Sequence, residues 1–470
     1  LRLDYSMKIP VCAVLDVGKT NKKIFLFDEN YRIVLEKTEQ FPETVDEDGD
    51  PCEDVDLLTR WVKDSIFQVL QLSEYDVRAI NFSTYGASLV HVDKTGKTVA
   101  PLYNYLKPYP DTLKKQFYDT YGGDQHVSRQ TASPILGSLN SGMILYRLKY
   151  EQPEVFEKIA YSLHLPQYVG SLISEVFASD ITSIGCHTHF WNFDTNSYHE
   201  WVEKEGVLDK LAPIEEGDKV VIQTISNQEC LVGVGLHDSS SALIPYLVSF
   251  LEPFVLISTG TWCISLNPFN HTPLTNEELQ YDCLCYMQYN GKPVKASRLF
   301  AGYEHEQQTK RLAEHFGVAT DYYKSVAFDA EMIAQLKADK KTDGIDFESL
   351  SKPPMPTTIF GQRDLASFDS YERAYHQLIL DIVAQQIIST ELVLAGSTVK
   401  RIFVDGGFGK NPIYMNLLAA AFPTMEVFAA SVAQATSLGA ALSIHRHWNS
   451  KSLPPDLIDL RFYNSKLSLP

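Results

Sequence analysis

The sequence predicts an α/β protein of two substantial domains with a cleft between them. Three observations lead there. The chain has 470 residues, enough for two domains. Short apolar, β-prone runs alternate with segments of helical spacing along most of its length. One design also occurs twice: an apolar strand, a small polar turn with a glycine, and a second strand. It is found at Val11–Phe27 and again at Phe254–Leu266. The two halves agree in pattern and not in identity, which suggests an internal duplication.

Composition narrows the functions. Apolar residues make up 44% of the chain, so it can build large cores. The net charge of −18 argues against nucleic acid as a main partner, because a phosphate backbone needs a basic face. A nucleotide is still admissible, since Mg²⁺, Lys19 and backbone amides can meet its charge locally. The seven cysteines are odd in number and scattered, which disfavours a secreted disulfide framework and favours a reducing, cytoplasmic setting. Leu1–Lys8 lacks the apolar region of a signal peptide, and Leu1–Ser6 reads as an appended remnant with Met7 as the natural start. Leu378–Leu394 is the most apolar long segment, but Asp381, Gln385, Gln386 and Glu391 interrupt it. It reads as a buried helix and not a membrane span.

In the opening stretch, Val11–Leu15 and Ile24–Phe27 are strands around the turn Asp16-Val17-Gly18-Lys19-Thr20-Asn21. Gly18 lets backbone N–H groups approach an anion, and Asp16 at the strand end can hold Mg²⁺ directly or through water. The same residues also suit an ordinary hairpin. Gly18-Lys19-Thr20 is not a P-loop: Ala13 stands where that pattern needs glycine, and a strand follows instead of a helix.

Tyr31–Lys37 continues the sheet after the Asp28-Glu29-Asn30 turn, and Glu43–Asp56 reads as an acidic loop. Val55–Leu72 has helical spacing. Val77–Ser83 is a strand running into Thr84-Tyr85-Gly86-Ala87-Ser88, a pattern that suits a plain turn or a sugar hydroxyl meeting backbone. Helices are expected at Ile135–Lys149, Pro153–Lys158 and Pro166–Phe177. Cys186-His187-Thr188-His189 reads as strand residues engaged in packing or hydroxyl contacts, because a third zinc ligand is missing at a familiar spacing. Cys283-Leu284-Cys285 reads as core in the same way.

Val220–Glu229 is strand-like, and the apolar Leu231–Leu236 leads into His237-Asp238 and a small-residue helix start. Asp238 there suits either a helix N-cap or a general base taking a proton from a substrate hydroxyl. Phe254–Ile257 and Trp262–Leu266 flank the second turn, Ser258-Thr259-Gly260-Thr261, which opens the second domain. Asn276–Asn290 reads as strands with a turn, Ala301–Phe316 as a helix, Ala327–Asp346 as charged and peripheral, and Tyr371–Ala395 as one long helix ended by Gly396. A strand at Arg401–Val404 then meets Asp405-Gly406-Gly407-Phe408-Gly409-Lys410-Asn411 and a helix from Pro412 to Ala421. Glycines at such a junction let backbone lie flat on a nucleotide. A strand at Met425–Phe428 and an alanine-rich helix at Ala433–His445 close the pattern. Gly439 in that helix favours close packing.

In this order, these stretches resemble the FGGY family of carbohydrate kinases over Val11 to about His447, and are most similar to its L-rhamnulose kinase (rhamnulokinase) branch. The Leu236–Ala242 stretch, Ser258–Trp262 and Thr84-Tyr85-Gly86 carry that second likeness. The resemblance implies two actin-like ATPase (ribonuclease H-like) domains, at 8–248 and 249–450. It implies ATP and Mg²⁺ as cofactors, and an ATP-dependent kinase acting on the terminal hydroxyl of a ketose: L-rhamnulose first, then L-fuculose, L-ribulose or xylulose. An actin-like ATPase that is not a kinase, or a silent sugar-binding regulator, is the alternative.

Residue by residue, the resemblance makes Asp238 the base, with His237 and Gly86 on the sugar. Gly18, Lys19, Thr20, Asn21 and Lys22 belong to the first phosphate hairpin, with Asp16 near Mg²⁺. Thr261 lies at the second phosphate hairpin, and Gly406 and Gly407 lie against adenosine. Between Pro293 and Gln308 the nucleotide contacts do not align, and Ser297, Arg298 and Gln307 are the candidates. The partner implied is a small sugar, with no nucleic acid and no membrane, for a monomer or homodimer. The chain departs from that branch in its Gly-Lys-Thr-Asn turn and in carrying Asp405 and Phe408.

Overall fold

A computed structural model of the chain describes residues 8–338, 353–356 and 358–464. Leu1–Ser6 and the end of the Ala327–Asp346 stretch lie outside the described residues. The chain forms two compact units. The first comprises 1–249, 285–293 and 433–457, and the second comprises 250–284, 294–432 and 458–470.

The first unit is built on a seven-stranded sheet. Its strands are β1 (Ile9–Val17), β2 (Lys22–Asp28), β3 (Ile33–Glu39), β4 (Tyr75–Thr84), β5 (Val220–Ile225), β6 (Gln228–Gly233) and β7 (Leu236–His237). The order is β5-β6-β4-β1-β2-β3, with β7 also paired to β4. β1–β2 and β2–β3 are antiparallel, whereas β1–β4 and β4–β6 are parallel.

β1 is a near-continuous apolar run because both of its faces are covered. The Val55–Leu70 helix, capped by the Asp54 carboxylate accepting from the Leu57 N–H, packs Leu58, Val62, Ile66 and Val69 into that core. The region read as one strand, Val220–Glu229, is instead a hairpin. Ser226 and Asn227 take left-handed φ of 52° and 63°, as a two-residue turn requires. A second apolar cluster around Phe117, Tyr146, Phe190 and Trp201 fills the insertion between β4 and β5.

The second unit repeats the design. The strands of its sheet are β8 (Phe254–Thr259), β9 (Cys263–Asn267), β10 (Cys283–Met287, whose last three residues belong to the first unit), β11 (Pro293–Leu299), β12 (Arg401–Gly406), β13 (Glu426–Ser431) and β14 (Asp459–Tyr463), in the order β10-β11-β9-β8-β12-β13-β14. β8–β9 and β9–β11 are antiparallel, and β8–β12 and β12–β13 are parallel, the same succession as in the first unit. Even the crossing point repeats. The Tyr85 N–H donates to the Val17 carbonyl at 3.1 Å, and the Gly407 N–H donates to the Thr259 carbonyl at 3.0 Å.

Residues 276–280, expected as strand, form a helix. Thr275 and Glu278 make a complete capping box, which competes successfully with the β-prone run that follows. The long helix Tyr371–Leu394 is apolar and long enough to cross a membrane by length and composition. Here it is the core helix of the second unit. Its polar residues are paired inside: Asp381 with Arg363 and Gln377, Gln386 and Thr390 with Ser265.

The helix Ala435–Ser443 belongs to the first unit and not to the second as its place in the sequence suggests. It packs on the Asp238–Ser249 helix, where a Cβ at Gly439 would lie 1.8 Å from the Ser241 carbonyl oxygen. Pro245 explains why that carbonyl is free to be approached, because proline supplies no N–H four residues on.

Candidate functional site

Within the first unit, strand ends from β1, β4 and β7 bring the predicted residues together. β7 places His237 beside Thr84 in register, and the Asp238–Ser249 helix starts immediately after. A Cβ at Gly86 would lie 2.6 Å from two atoms of the His237 ring, so glycine is required by that close approach. The other neighbours of the ring are Tyr286, stacked at 5.8 Å and 16°, and His187, edge-on at 6.5 Å. Cys186 Sγ lies 3.5 Å from His237 Nε2, and Asp238 Oδ1 lies 3.2 Å from it. The ring is buried, and burial pulls its pKa down to about 4, so it is neutral at physiological pH.

Asp238 does not cap its helix in the usual way. Its Oδ1 accepts from its immediate neighbour Ser239, at 2.6 Å from the N–H and 3.2 Å from the hydroxyl. The side chain is about one-third exposed (34%). Burial nevertheless raises its pKa to about 6, with the Ser239 hydrogen bonds opposing. A carboxylate so tuned can take a proton near neutral pH.

Asp16 stands at the end of β1. Its Oδ2 accepts from Thr436 Oγ1 at 2.5 Å and Ser437 Oγ at 2.7 Å, both on the returning final segment. Burial raises its pKa, the two hydroxyls lower it, and the charge of Asp238 raises it again. Burial and the charge of Asp238 both disfavour the Asp16 carboxylate, a cost that a divalent cation would relieve, so Asp16 fits a Mg²⁺ role.

The neighbouring turn is closed by the Gly18 N–H donating to the Asn21 carbonyl at 2.9 Å. Lys19 pairs with Glu43 at 2.9 Å, and Thr20 is exposed. Asn21 Oδ1 accepts from Gln40. Lys22, placed on the phosphate hairpin by resemblance, has its ammonium elsewhere. It is buried, ion-paired with Glu53, and donates to the Lys19 carbonyl at 3.1 Å. Glu53 also accepts from the Tyr85 hydroxyl. The charge of Lys22 therefore braces the turn from beneath, because the alternation of β2 turns it inward.

The second unit holds a cavity of about 590 Å³. Gly260, Gly302 and Gly407 contribute backbone, and His305, Tyr375 and Phe408 an aromatic wall. Gly406 has φ +93°, and a Cβ there would lie 2.0 Å from the Thr259 carbonyl oxygen. Gly407 has open space around it. The Phe408 N–H donates to Thr259 Oγ1 at 3.0 Å, so the loop after β12 is pinned to the end of β8. Asn411 Oδ1 caps the following helix, and its amide donates to the Tyr375 hydroxyl, which also meets His305 Nε2 at 3.0 Å. The Thr261 carbonyl accepts from the Tyr303 N–H at 3.1 Å, which seats the second hairpin turn on the Ala301–Phe316 helix. Flat aromatic surface, bare backbone and this volume fit a purine nucleoside.

The three candidates between Pro293 and Gln308 fare differently. Ser297 is buried and bonded to Ser389, and Arg298 pairs with Asp282 and lies over Trp262. Gln307 is not among the residues lining the cavity. The residues that do line it, His305 and Tyr375, gave no signal because each sits in an ordinary helical pattern. The same holds for Tyr286, hidden beside the alternating cysteines. Cys186–His189, expected on a strand, is irregular. His187 and His189 have left-handed φ of 40° and 65°. His189 is saturated by Tyr118 and Thr131, in keeping with a hydroxyl-contact role.

A sequence model of the FGGY family of carbohydrate kinases, N-terminal domain, matches residues 11–238. One of the carbohydrate kinase FGGY C-terminal domain matches residues 251–337. L-fuculokinase of Escherichia coli (strain K12) is 23% identical over 280 residues, covering 54% of this chain and 56% of that protein. Rhamnulokinase of Oceanobacillus iheyensis is 21% identical over 286 residues, covering 57% and 58%. The chain thus spans little more than half the length of the curated relatives it matches.

Among solved structures, a carbohydrate kinase from Novosphingobium aromaticivorans superposes with a TM-score of 0.78 at 20% identity, covering 97% of this chain and 95% of that one. Xylulose kinase from Rhodospirillum rubrum gives 0.79 at 13% identity, covering 97% and 94%. These structures share the two-domain actin-like fold. With both domain models matched along more than half its length, the chain belongs to the FGGY family of carbohydrate kinases.

Proposed function

We propose that the protein is an ATP-dependent ketose kinase that phosphorylates the terminal hydroxyl of L-rhamnulose. The observation that carries this reading is the His237–Asp238 pair beside Gly86: a neutral imidazole adjoining a carboxylate with a pKa of about 6. Asp238 orients the sugar hydroxyl and takes its proton, and His237 and Gly86 hold the sugar. Asp16 would hold Mg²⁺, which, when bound, neutralises phosphate charge during transfer. Gly18, Lys19, Thr20, Asn21 and Thr261 meet the phosphates, and Gly406 and Gly407 lie along the adenosine. Phosphoryl transfer asks the protein for position and charge neutralisation more than for covalent chemistry.

L-fuculose is the second reading, because an L-fuculokinase and a rhamnulokinase align with this chain at similar identity. The reading includes a cytoplasmic location, supported by seven buried cysteines whose odd number and scatter suit a reducing setting, and a monomer or homodimer. The test is ADP release across a panel of ketoses, polyols and aldoses. L-rhamnulose at the head of the panel supports the proposal. ATP hydrolysis indifferent to every sugar contradicts it.

A further inference from the structure

Asp180 is one of the buried carboxylates that take no part in the proposed transfer. Asp180 is completely buried, at the start of the short Ile181–Ile184 helix in the first unit. Its Oδ1 accepts from both the N–H of Thr182, at 2.9 Å, and the Thr182 hydroxyl. Its Oδ2 has no hydrogen-bond partner, and the backbone of Gly217 lies so close that a Cβ there would come within 3.2 Å of it. Burying such a group costs stability, and burial raises its pKa to about 7.

The Thr182 hydroxyl donates to Asp180 and so has its lone pairs free. One of them accepts the backbone N–H of His237 at 3.0 Å. The same segment returns to His237 a second time through Cys186 Sγ, 3.5 Å from the ring. His237 is therefore held at its backbone by Thr182 and at its imidazole by Gly86, Tyr286 and Cys186. Asp238 follows directly.

We propose that Asp180 and Thr182 are positioning residues for the phosphoryl-transfer reaction: Asp180 fixes the Thr182 hydroxyl, which fixes the His237 main chain and thereby the reach of Asp238. This rests on the reading of Asp238 as the base. A hydroxyl oriented by a carboxylate is a stiffer acceptor than a free one, because its proton is already committed. A displacement of about 1 Å at a reacting group can lower turnover by about a hundredfold.

The experiment compares Thr182→Val, Thr182→Ser, Asp180→Asn and Asp238→Asn in the full chain, with L-rhamnulose as probe, or L-fuculose where the panel ranks it first. It reads kcat, KM for sugar and KM for ATP. Thr182→Val is expected to lower kcat by about tenfold to a hundredfold with KM for ATP within about twofold of wild type. Thr182→Ser, which keeps the hydroxyl, is expected to recover most of the loss. Asp180→Asn is expected to fall between them. A folded Thr182→Val protein with wild-type kcat overturns the proposal. So does a Thr182→Ser protein as slow as the valine variant. Should Thr182→Val fail to fold, Asp180→Asn decides by the same criterion. Asp238→Asn separates the two readings: wild-type turnover there removes the base, whereas an inactive Asp238→Asn beside a fully active Thr182→Val removes only the positioning role.

Discussion

The imidazole of His237 occupies the space in which a side chain on residue 86 would stand, 2.6 Å from the position of its Cβ. Tyr286 covers the ring at 5.8 Å, so it cannot simply swing aside. Gly86→Ala is therefore predicted to displace His237 and slow sugar-dependent turnover by about tenfold to a hundredfold. KM for ATP should stay near wild type, because the cavity proposed for the nucleotide belongs to the second unit. Steady-state ADP release with sugar and ATP varied separately checks this. A variant impaired only in KM for ATP contradicts it.

With Asp238 as the proposed base, its pKa, raised by burial to about 6, should set the acid limb of activity. A general base works as the anion, so kcat/KM should fall about tenfold per pH unit below pH 6 and level off above it. His237 is neutral above about pH 4 and contributes no change in that window. Asp238→Asn should abolish the limb and lower turnover by about 10²–10⁴-fold. The stability effect has the opposite sign. A carboxyl whose folded pKa lies above its ordinary 3.8 favours the folded state when protonated, and that contribution is lost as pH rises through 6. Asp238→Asn should therefore melt higher than wild type at pH 7. Thermal melts at pH 4.5 and 7 test the sign.

Adjacent glycines in the β12 loop should behave differently. Gly406→Ala forces a Cβ to 2.0 Å from the Thr259 carbonyl oxygen at φ +93° and should cost about 1–3 kcal/mol of stability or more. Gly407→Val meets nothing within 4 Å and should leave the melting temperature nearly unchanged. Its side chain enters the cavity and should weaken ATP without altering sugar preference. Melting curves and calorimetric titration with ATP distinguish the two.

Lys22 and Glu53 form a buried pair, with side chains 2% and 5% exposed. Removing one partner strands the other charge, so Lys22→Met should cost about 3–5 kcal/mol. The double variant Lys22→Met/Glu53→Gln should recover part of that loss. Denaturant unfolding of the three proteins checks it; a double variant no more stable than the single one excludes a charge-pair explanation.

Much of this protein is legible from local pattern. The alternation and apolar runs of β1, β2, β8 and β12, the helical spacing of Val55–Leu70, and the Asp-Gly-Gly junction at 405–407 each declare themselves within a dozen residues. Hydrophobic period and turn chemistry are short-range properties, which is why they can be read there. Asp238 and Gly86 were recognisable, but the sequence could not show that they meet at one imidazole. Only the tertiary structure decided that the ammonium of Lys22 turns inward to Glu53, that Ala435–Ser443 returns to the first unit to bond Asp16, and that Thr182 holds His237. Those contacts span from 31 to more than 400 positions in the chain. Their partners become neighbours only when the sheet assembles, and no local propensity encodes such an encounter.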